Sequence, residues 1–564
     1  MKSGFGKEKM LLMGPFASLV RVLAGVSVMR RTVVLVSIVS LLGVPAAAAR
    51  VDEPAPTGAA TFVVTGHGWG HGVGLSQYGA YGYAQKGVGY AKIVAHYFPG
   101  TTLGAAPLSR VRVLLTSGVA SLKIGSKEDF RVRDGSGVTH DVPAGTYTIG
   151  AVLKLKLGSQ PTARALAGPF LFQPGSSPLA LKHPYRGSIQ VDVTGGKLRA
   201  VNIVGLESYL YGVVPSEMPY TWHPEALKAQ AVAARSYALA TRKTSGAFDL
   251  YPDTRSQVYL GIDHEKPSTN AAVDATAGKV VLYQGQVAKT FFFSTSGGRT
   301  ASAEDVWGTA VPYLVSVPDP YDSISPYHDW GPFTFTGAKL AKTMKMPGRI
   351  VDLQPQLNSS GRIKTLNVVG TKSTVAVPSA DLRRRLGLRS TWFSIGVLSL
   401  SAPTITVTYG SRARLTGTAR GMSEATLEQR AGGGWEQVGA VSTGKAGAVS
   451  MVVKPVATTQ YRLTSGKVAA AAVRVPVAPL LRFYPVRAQD QLRGYVRPVA
   501  LEGTTVFIQR QEGTRWVTLT RATIDAQGDF LAKLQLTSGV YRARAAAGRG
   551  FVAGNSPVLQ VSTP

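Results

Sequence analysis

Cysteine is absent from the 564 residues. That excludes disulfides, thiolate zinc sites, a cysteine nucleophile and lipid attachment through an N-terminal cysteine. Acidic residues are scarce: 31 Asp and Glu face 62 Lys and Arg, a formal charge of +31. Such an excess steers polyanions toward a protein. Nucleic acid is not the expected one, because the sequence has no finger spacing, no helix-turn-helix pattern and no basic–aromatic RNA signature. Long apolar runs are missing too, with one exception near the N-terminus. Arg30 and Arg31 precede an apolar run from Val33 to Val44, followed by Pro45 and the alanines Ala46 to Ala49. This basic, apolar, small-residue order is that of a secretory signal, and the run is short for a membrane-spanning helix. It reads best from Met29; an uncleaved anchor is the alternative. The remaining chain is expected outside the membrane, as a secreted or cell-wall protein.

Hydrophobic residues make up 45% of the chain, enough for a buried core, and 63 glycines with 33 prolines point to many turns. The expected division is a leader over 1–49, a linker over 50–60, a mixed α/β domain over 61–400, and two all-β, immunoglobulin-like sandwich modules over 401–478 and 479–564. The last two rest on a repeat in which Trp435 matches Trp516 and Tyr461 matches Tyr541. These four aromatics are read as core residues. The many Arg and Lys of the modules suit adhesion to anionic wall polymers.

The most informative segment is YLYGVVPSEMPYTWHPEALKAQAVAARSYALATRK, residues 209–243. Tyr209 to Val214 reads as a strand. Pro219 pushes Met218 into an extended conformation, so Glu217 is expected in a constrained turn. A helix follows, with Pro224 in its first turn, Glu225 complementing its dipole, and Leu227, Ala231, Ala234 and Ala238 on one face. A carboxyl among Met218, Tyr220 and Trp222 would be desolvated and held near neutrality, as a proton donor to a glycosidic oxygen requires. A glutamate capping backbone groups in a tight turn is the equal alternative from these residues alone.

The run V-P-S-E-M-P followed by E-A-L-K-A-Q-A-V-A-A-R-S-Y-A resembles the core signature of the SpoIID/LytB family, the stage II sporulation protein D and amidase-enhancer proteins. Residues 290–317 (TFFFSTSGGRTASAEDVWGTAVPYLVSV), 359–395 and 66–103 (GHGWGHGVGLSQYGAYGYAQKGVGYAKIVAHYFPGTTL) are similar to three further family blocks. The resemblance spans roughly 60–400. It implies a SpoIID-like core and lytic transglycosylase activity, cutting peptidoglycan glycan strands, poor in stem peptide, between N-acetylmuramic acid and N-acetylglucosamine to leave 1,6-anhydro ends. Glu217 inherits the catalytic role. The alternatives are a non-catalytic glycan-binding amidase enhancer, with a cell-wall amidase as partner, and a cell-wall adhesion protein. Two departures stand out. The G-H-G block, which follows the other blocks in the sporulation protein, here precedes them. The family's Cys-containing element, sometimes associated with zinc, here reads Asp253-Thr254-Arg255-Ser256-Gln257-Val258-Tyr259-Leu260-Gly261. Without cysteine ligands, no cofactor is expected.

Substrate contact is assigned to His67, His71, Ser76, Gln77, Ser216, Gln257, Tyr259, Ser296, Gly297 and Gly298. His67 and His71 alternate with Gly66, Gly68, Gly70, Gly72 and Gly74, which favours a loop over a helical metal pair, so no metal ligand is assigned. For Ser76 and Gln77, helix capping is an equal alternative. For Ser296, Gly297 and Gly298 it is simple turn chemistry. Glu225 and Arg235 are read as structural, the latter pairing with a carboxylate inside the packed helix.

Overall fold

The computed structural model describes residues 59–157, 165–486 and 490–562. The expected leader and nearly all of the linker lie outside the described residues. Strand predominates over helix. None of the described helices is long and apolar enough to cross a membrane.

A six-stranded antiparallel sheet forms one face of the first core. Its order is Arg110–Val119, Lys197–Gly205, Ser188–Thr194, Phe170–Gln173, Phe130–Arg133 and Thr139–Val142. Period-two patterning places its side chains: Ile189 and Val191 are buried while Gln190 and Asp192 are not. The strand Lys197–Gly205 leads directly into helix α3, Leu206–Glu217. The expected strand over Tyr209 to Val214 is therefore corrected to helix. Tyr209, Leu210, Val213 and Val214 meet the sheet at helical, not alternating, spacing. Pro215 lies inside the helix and cannot donate to the Tyr211 carbonyl one turn back, while Ser216 Oγ donates to the Gly212 carbonyl at 3.2 Å.

Four other helices gather round the same place: α1 (Gln77–Gln85), α2 (Tyr90–Tyr97), α4 (Pro224–Thr241) and α5 (Pro267–Asp274). The helix expected at Pro224 is α4, and it packs against all the others. Its apolar side is not one stripe. Ala231, Ala234 and Ala238 join the sheet core, while Leu227, Val232 and Ala233 join a second core with α1 and α2. Alanine suits a helix buried on both flanks, because it lets neighbours approach closely. Arg235 on α4 is fully buried, donates to Glu207 through Nε at 3.0 Å and to the Lys279 carbonyl at 3.0 Å, and so has the structural carboxylate partnership expected of it. Glu225 accepts from the Tyr90 backbone N–H and from Lys228 Nζ, both at 2.7 Å, which also makes it structural.

A third core forms where the domain's beginning meets its end. Thr61–His67 lies antiparallel between Asp329–Thr336 and Phe393–Ser401, with Thr61 opposite Leu398. Proximity of ends is the condition under which motif order can be permuted within a domain. Here the ends share a hydrogen-bonded ladder.

That sheet does not stop at the expected 400/401 boundary. Phe393–Ser401 also pairs with Ala413–Arg420, which pairs with Ala448–Val453. A second sheet, built on Thr426–Arg430 and Thr459–Ser465, faces it across a core containing Leu400, Leu415, Leu427 and Leu463. The last module repeats the arrangement, with Leu492, Ile508, Phe530 and Ala543 in its core. Tyr461 and Tyr541 are buried as expected, at 1% and 0% exposure. Trp435 and Trp516 are not core residues. Each is partly exposed beneath a guanidinium, Arg462 at 4.0 Å and Arg542 at 4.1 Å from the ring centre.

Candidate active site

Glu217 is the last residue of α3, and the chain then turns out through extended Met218 into Pro219. Three elements fix it from behind. At the start of α1, buried Gln77 donates through Nε2 to the Glu217 carbonyl at 2.9 Å. Gln257 is pinned between Tyr209, whose hydroxyl donates to its Oε1 at 3.2 Å, and the Ala234 carbonyl of α4, to which its Nε2 donates at 3.3 Å. Tyr259 donates to Asn202 Oδ1 at 2.9 Å and packs on α3 where Gly212 leaves room; a Cβ there would sit 2.9 Å from the ring. Held on both sides, Val258 hydrogen-bonds the Glu217 carboxyl through its backbone.

Desolvation is the larger influence on that carboxyl. It pushes the pKa up from 4.5 to about 7, against the opposing Val258 hydrogen bond. The Glu217 charge in turn adds to the desolvation that raises the hydroxyls of Tyr209 and Tyr237, so both phenols lie within its field. Glu225, by contrast, is held below its ordinary value: desolvation raises it, but hydrogen bonds from Lys228 and Tyr90 outweigh that.

The glycine-rich segment is a loop, stitched to residues 291–301 and 389. Trp69 and Thr295 exchange backbone hydrogen bonds at 2.8 and 3.0 Å, Gly70 N–H donates to the Arg389 carbonyl at 3.0 Å, and Leu75–Ser76 pairs in parallel with Phe292–Phe293. Gly74 has φ +80°, and a Cβ there would lie 2.2 Å from the Phe291 carbonyl oxygen. Gly74→Ala is expected to cost about 2–3 kcal/mol, from backbone strain plus displacement of that strand. Urea denaturation checks it; a loss below about 1 kcal/mol would show that the loop can shift.

His67 Nδ1 lies 2.6 Å from Asp329 Oδ1, with its ring beside Trp392. His71 turns the other way, against Phe291, Phe293 and Trp307. Its Nδ1 accepts from the Val73 N–H at 3.0 Å, so Nε2 carries the proton it gives the Phe292 carbonyl at 3.1 Å. Burial and nearby Arg383 push its pKa down to about 3. The two imidazoles thus have separate partners. No cluster of three metal-ligating side chains occurs among the described residues.

Several expected substrate contacts are instead interior. Ser76, Gln77, Gln257, Tyr259 and Ser296 are each 3% exposed or less. Side chains this buried, spent on internal hydrogen bonds, suit positioning of the site. Ser76 Oγ caps α1 at the Gly79 N–H and donates to Asp322 Oδ1 at 2.9 Å. Ser296 and Gly297 also give their backbone N–H groups to Asp322, each at 2.9 Å. Gly298 donates to Ser296 Oγ at 3.0 Å. The S-x-x-G-G turn is thereby built round an unforeseen residue, the fully buried Asp322, which is also 3.1 Å from His328 Nδ1. Asp319 lies beside it, accepting from the Tyr97 hydroxyl at 2.8 Å. Burial and the Asp322 charge raise Asp319 to about 6. The sequence offered only a weak cue to this pair, two aspartates in a proline-rich turn.

The family model described as SpoIID, stage II sporulation protein, matches residues 194–283, from the last sheet strand through α3, α4 and α5. The chain is 36% identical over 230 residues to the stage II sporulation protein D of Bacillus subtilis, covering 37% of this chain and 65% of that protein. It is 34% identical over 240 residues to the protein of the same name from Bacillus amyloliquefaciens, covering 39% and 67%. It is 43% identical over 114 residues to the amidase enhancer of Bacillus subtilis, covering 20% of this chain and 15% of that protein. The chain belongs to the SpoIID/LytB family, and it spans about two thirds of the length of the sporulation proteins.

Proposed function

We propose that this protein is an exported lytic transglycosylase of peptidoglycan, with residues 61–400 as its catalytic unit and two immunoglobulin-like modules, 401–478 and 479–564, that hold it to anionic wall polymers. The observation that carries the reading is the Glu217 carboxyl, partly buried at a helix end and raised to about 7. At neutral pH a large share of it is protonated. Glu217 gives its proton to the glycosidic oxygen as the bond from C1 of N-acetylmuramic acid to the N-acetylglucosamine oxygen breaks. The C6 hydroxyl of the same muramic sugar then bonds to C1 and returns its proton to Glu217. No water is consumed and the product end is 1,6-anhydro, which is why one carboxyl suffices where hydrolases use two.

The test is mass spectrometry of fragments released from purified peptidoglycan, intact and stripped of stem peptides. The chain with native Glu217 is expected to release anhydro-muramyl ends and Glu217→Gln is not. A second reading has its own support, the likeness to a protein named amidase enhancer. Glycan binding without fragments from either form, together with faster cleavage by an added wall amidase, would favour it.

A further inference from the structure

Helix α4 turns one face toward the surroundings of Glu217. Gln230, Ala234 and Tyr237 recur along it at 4-3 spacing, which puts them on one side of the helix. Gln230 Oε1 lies 3.4 Å from Gln77 Nε2, the group that also donates to the Glu217 carbonyl. The Ala234 carbonyl holds Gln257, the neighbour of Val258, whose backbone hydrogen-bonds the Glu217 carboxyl. Tyr237 is the third residue of this face. Its ring is 7% exposed, lies 5.6 Å from Phe291 and 6.1 Å from Phe292, and packs in one core with Met218.

The hydroxyl of Tyr237 has no use in the fold. Buried tyrosines normally spend theirs: Tyr97 donates to Asp319, Tyr209 to Gln257 and Tyr259 to Asn202. The Tyr237 hydroxyl makes no hydrogen bond to any of the described residues, and it is not sealed in the interior. Burial pushes the phenol up to about 12, so it stays a donor across the working pH range. Glu217 has the complementary need. When it gives up its proton, a carboxylate is left at a desolvated helix end, with the Val258 backbone as its donor and no cation among the described residues acting on it. The titratable groups that face it are Tyr209 of α3 and Tyr237 of α4, and both feel its charge. Tyr209 is committed to Gln257; Tyr237 is not.

We propose that Tyr237 is a second catalytic residue, whose hydroxyl turns to donate to the Glu217 carboxylate as that carboxylate forms. This rests on the reading of Glu217 as the acid–base group. The Glu217 O–H bond breaks as its proton passes to the glycosidic oxygen, and Tyr237 adds a hydrogen bond to the oxygen left behind. Tyr237 keeps its own proton throughout, and the hydrogen bond is given up when Glu217 is protonated again. A bond made only to the charged form stabilises the transition state more than the resting enzyme, which is what raises a rate.

The variant is Tyr237→Phe in the full chain, which removes the hydroxyl and keeps the packed ring. It is expected to lower kcat by about 10–100-fold with KM within about twofold. Loss of a donor to the charged form raises the Glu217 pKa, so the alkaline fall of kcat is expected to move up by about one pH unit. A role in packing alone would leave that fall in place. A second measurement needs no activity. Thermal unfolding is compared for the wild type, Tyr237→Phe, Glu217→Gln and the double variant, at about pH 5 and about pH 9, on either side of the Glu217 titration. The two changes are expected to add at the lower pH. At the higher pH, Tyr237→Phe is expected to lower Tm by about 2–4 °C more in the presence of Glu217 than in the Glu217→Gln chain. Additive shifts at both pH values, or an active Tyr237→Phe enzyme with its alkaline fall unmoved, overturn the proposal. The two readings fail separately. Coupling at the higher pH without anhydro products from the wild type removes the transglycosylase and keeps the Tyr237–Glu217 pair; anhydro products that require Glu217, with no coupling, do the reverse.

Discussion

Replacing Glu217 by Gln is expected to lower the rate of glycan cleavage by about 10²–10⁴-fold, the usual contribution of a positioned acid–base group. The amide keeps the shape at the end of α3 and the Gln77 hydrogen bond to the backbone, but it has no proton to give. The pH profile follows from the raised pKa. The group must start protonated, so kcat/KM is expected to be flat below about pH 7 and to fall about tenfold per unit above it. Stability should show the same group with the opposite variant favoured. The folded value is about 7 against an ordinary 4.5, so the folded state binds the proton more tightly. Its contribution is full below pH 4.5 and is lost as pH rises through 7. Glu217→Gln is not subject to that loss. It should match the wild type near pH 4.5 and exceed it above pH 7, by about 1–3 kcal/mol. Thermal unfolding on both sides of this window measures it. A flat activity profile through pH 9, or Glu217→Gln cutting at the wild-type rate, would remove Glu217 from the chemistry.

The sequence made the site legible where chemistry is local. Pro219 and Pro224 bracket the turn after Glu217 and open α4 at the expected place, and Met218 is extended as the following proline demands. Where two structures bury the same residues, it misled. YLYGVV is apolar, β-branched and aromatic, which reads as a strand, yet its residues lie between the sheet and α4, where a helix buries them equally well. For Ser76 and Ser296 the capping and turn roles were legible as alternatives, but the residue that joins them was not. Their shared partner, Asp322, lies 246 residues from Ser76 and 26 from Ser296, distances that no periodicity reports. The sheet that runs across the expected 400/401 boundary was not legible for the related reason that a sheet is a non-local object. Phe393–Ser401 looks like a domain's last strand in sequence and is the middle strand of a five-stranded sheet in space.

Asp322→Ala is expected to cost about 3–5 kcal/mol, the range for removing one partner from a buried charged network. The carboxylate is fully buried and accepts from Ser76 Oγ at 2.9 Å and from the Ser296 and Gly297 N–H groups at 2.9 Å each, with His328 Nδ1 at 3.1 Å. Deleting it leaves these donors buried without their acceptor, and each buried orphan is costly. One effect works the other way. Asp319 is pushed up partly by the Asp322 charge, so its own carboxyl relaxes toward the ordinary range when that charge goes. Asp322→Asn separates charge from shape. It retains one acceptor oxygen but turns an N–H₂ toward backbone donors, so about 2–3 kcal/mol is expected. The loss should be local before it is global. Ser76 caps α1, and α1 carries Gln77 to the Glu217 carbonyl, so loosening the hub frees the backbone behind the Glu217 carboxyl. Hydrogen exchange should accelerate first at Ser296, Gly297 and Gly79, with cleavage falling while the outer sandwich module keeps its protection. Urea denaturation gives the global figure. A cost below about 1 kcal/mol for Asp322→Ala would mean that the S-x-x-G-G turn is held by its own backbone, and that the buried aspartate is not what couples the glycine-rich loop to Glu217.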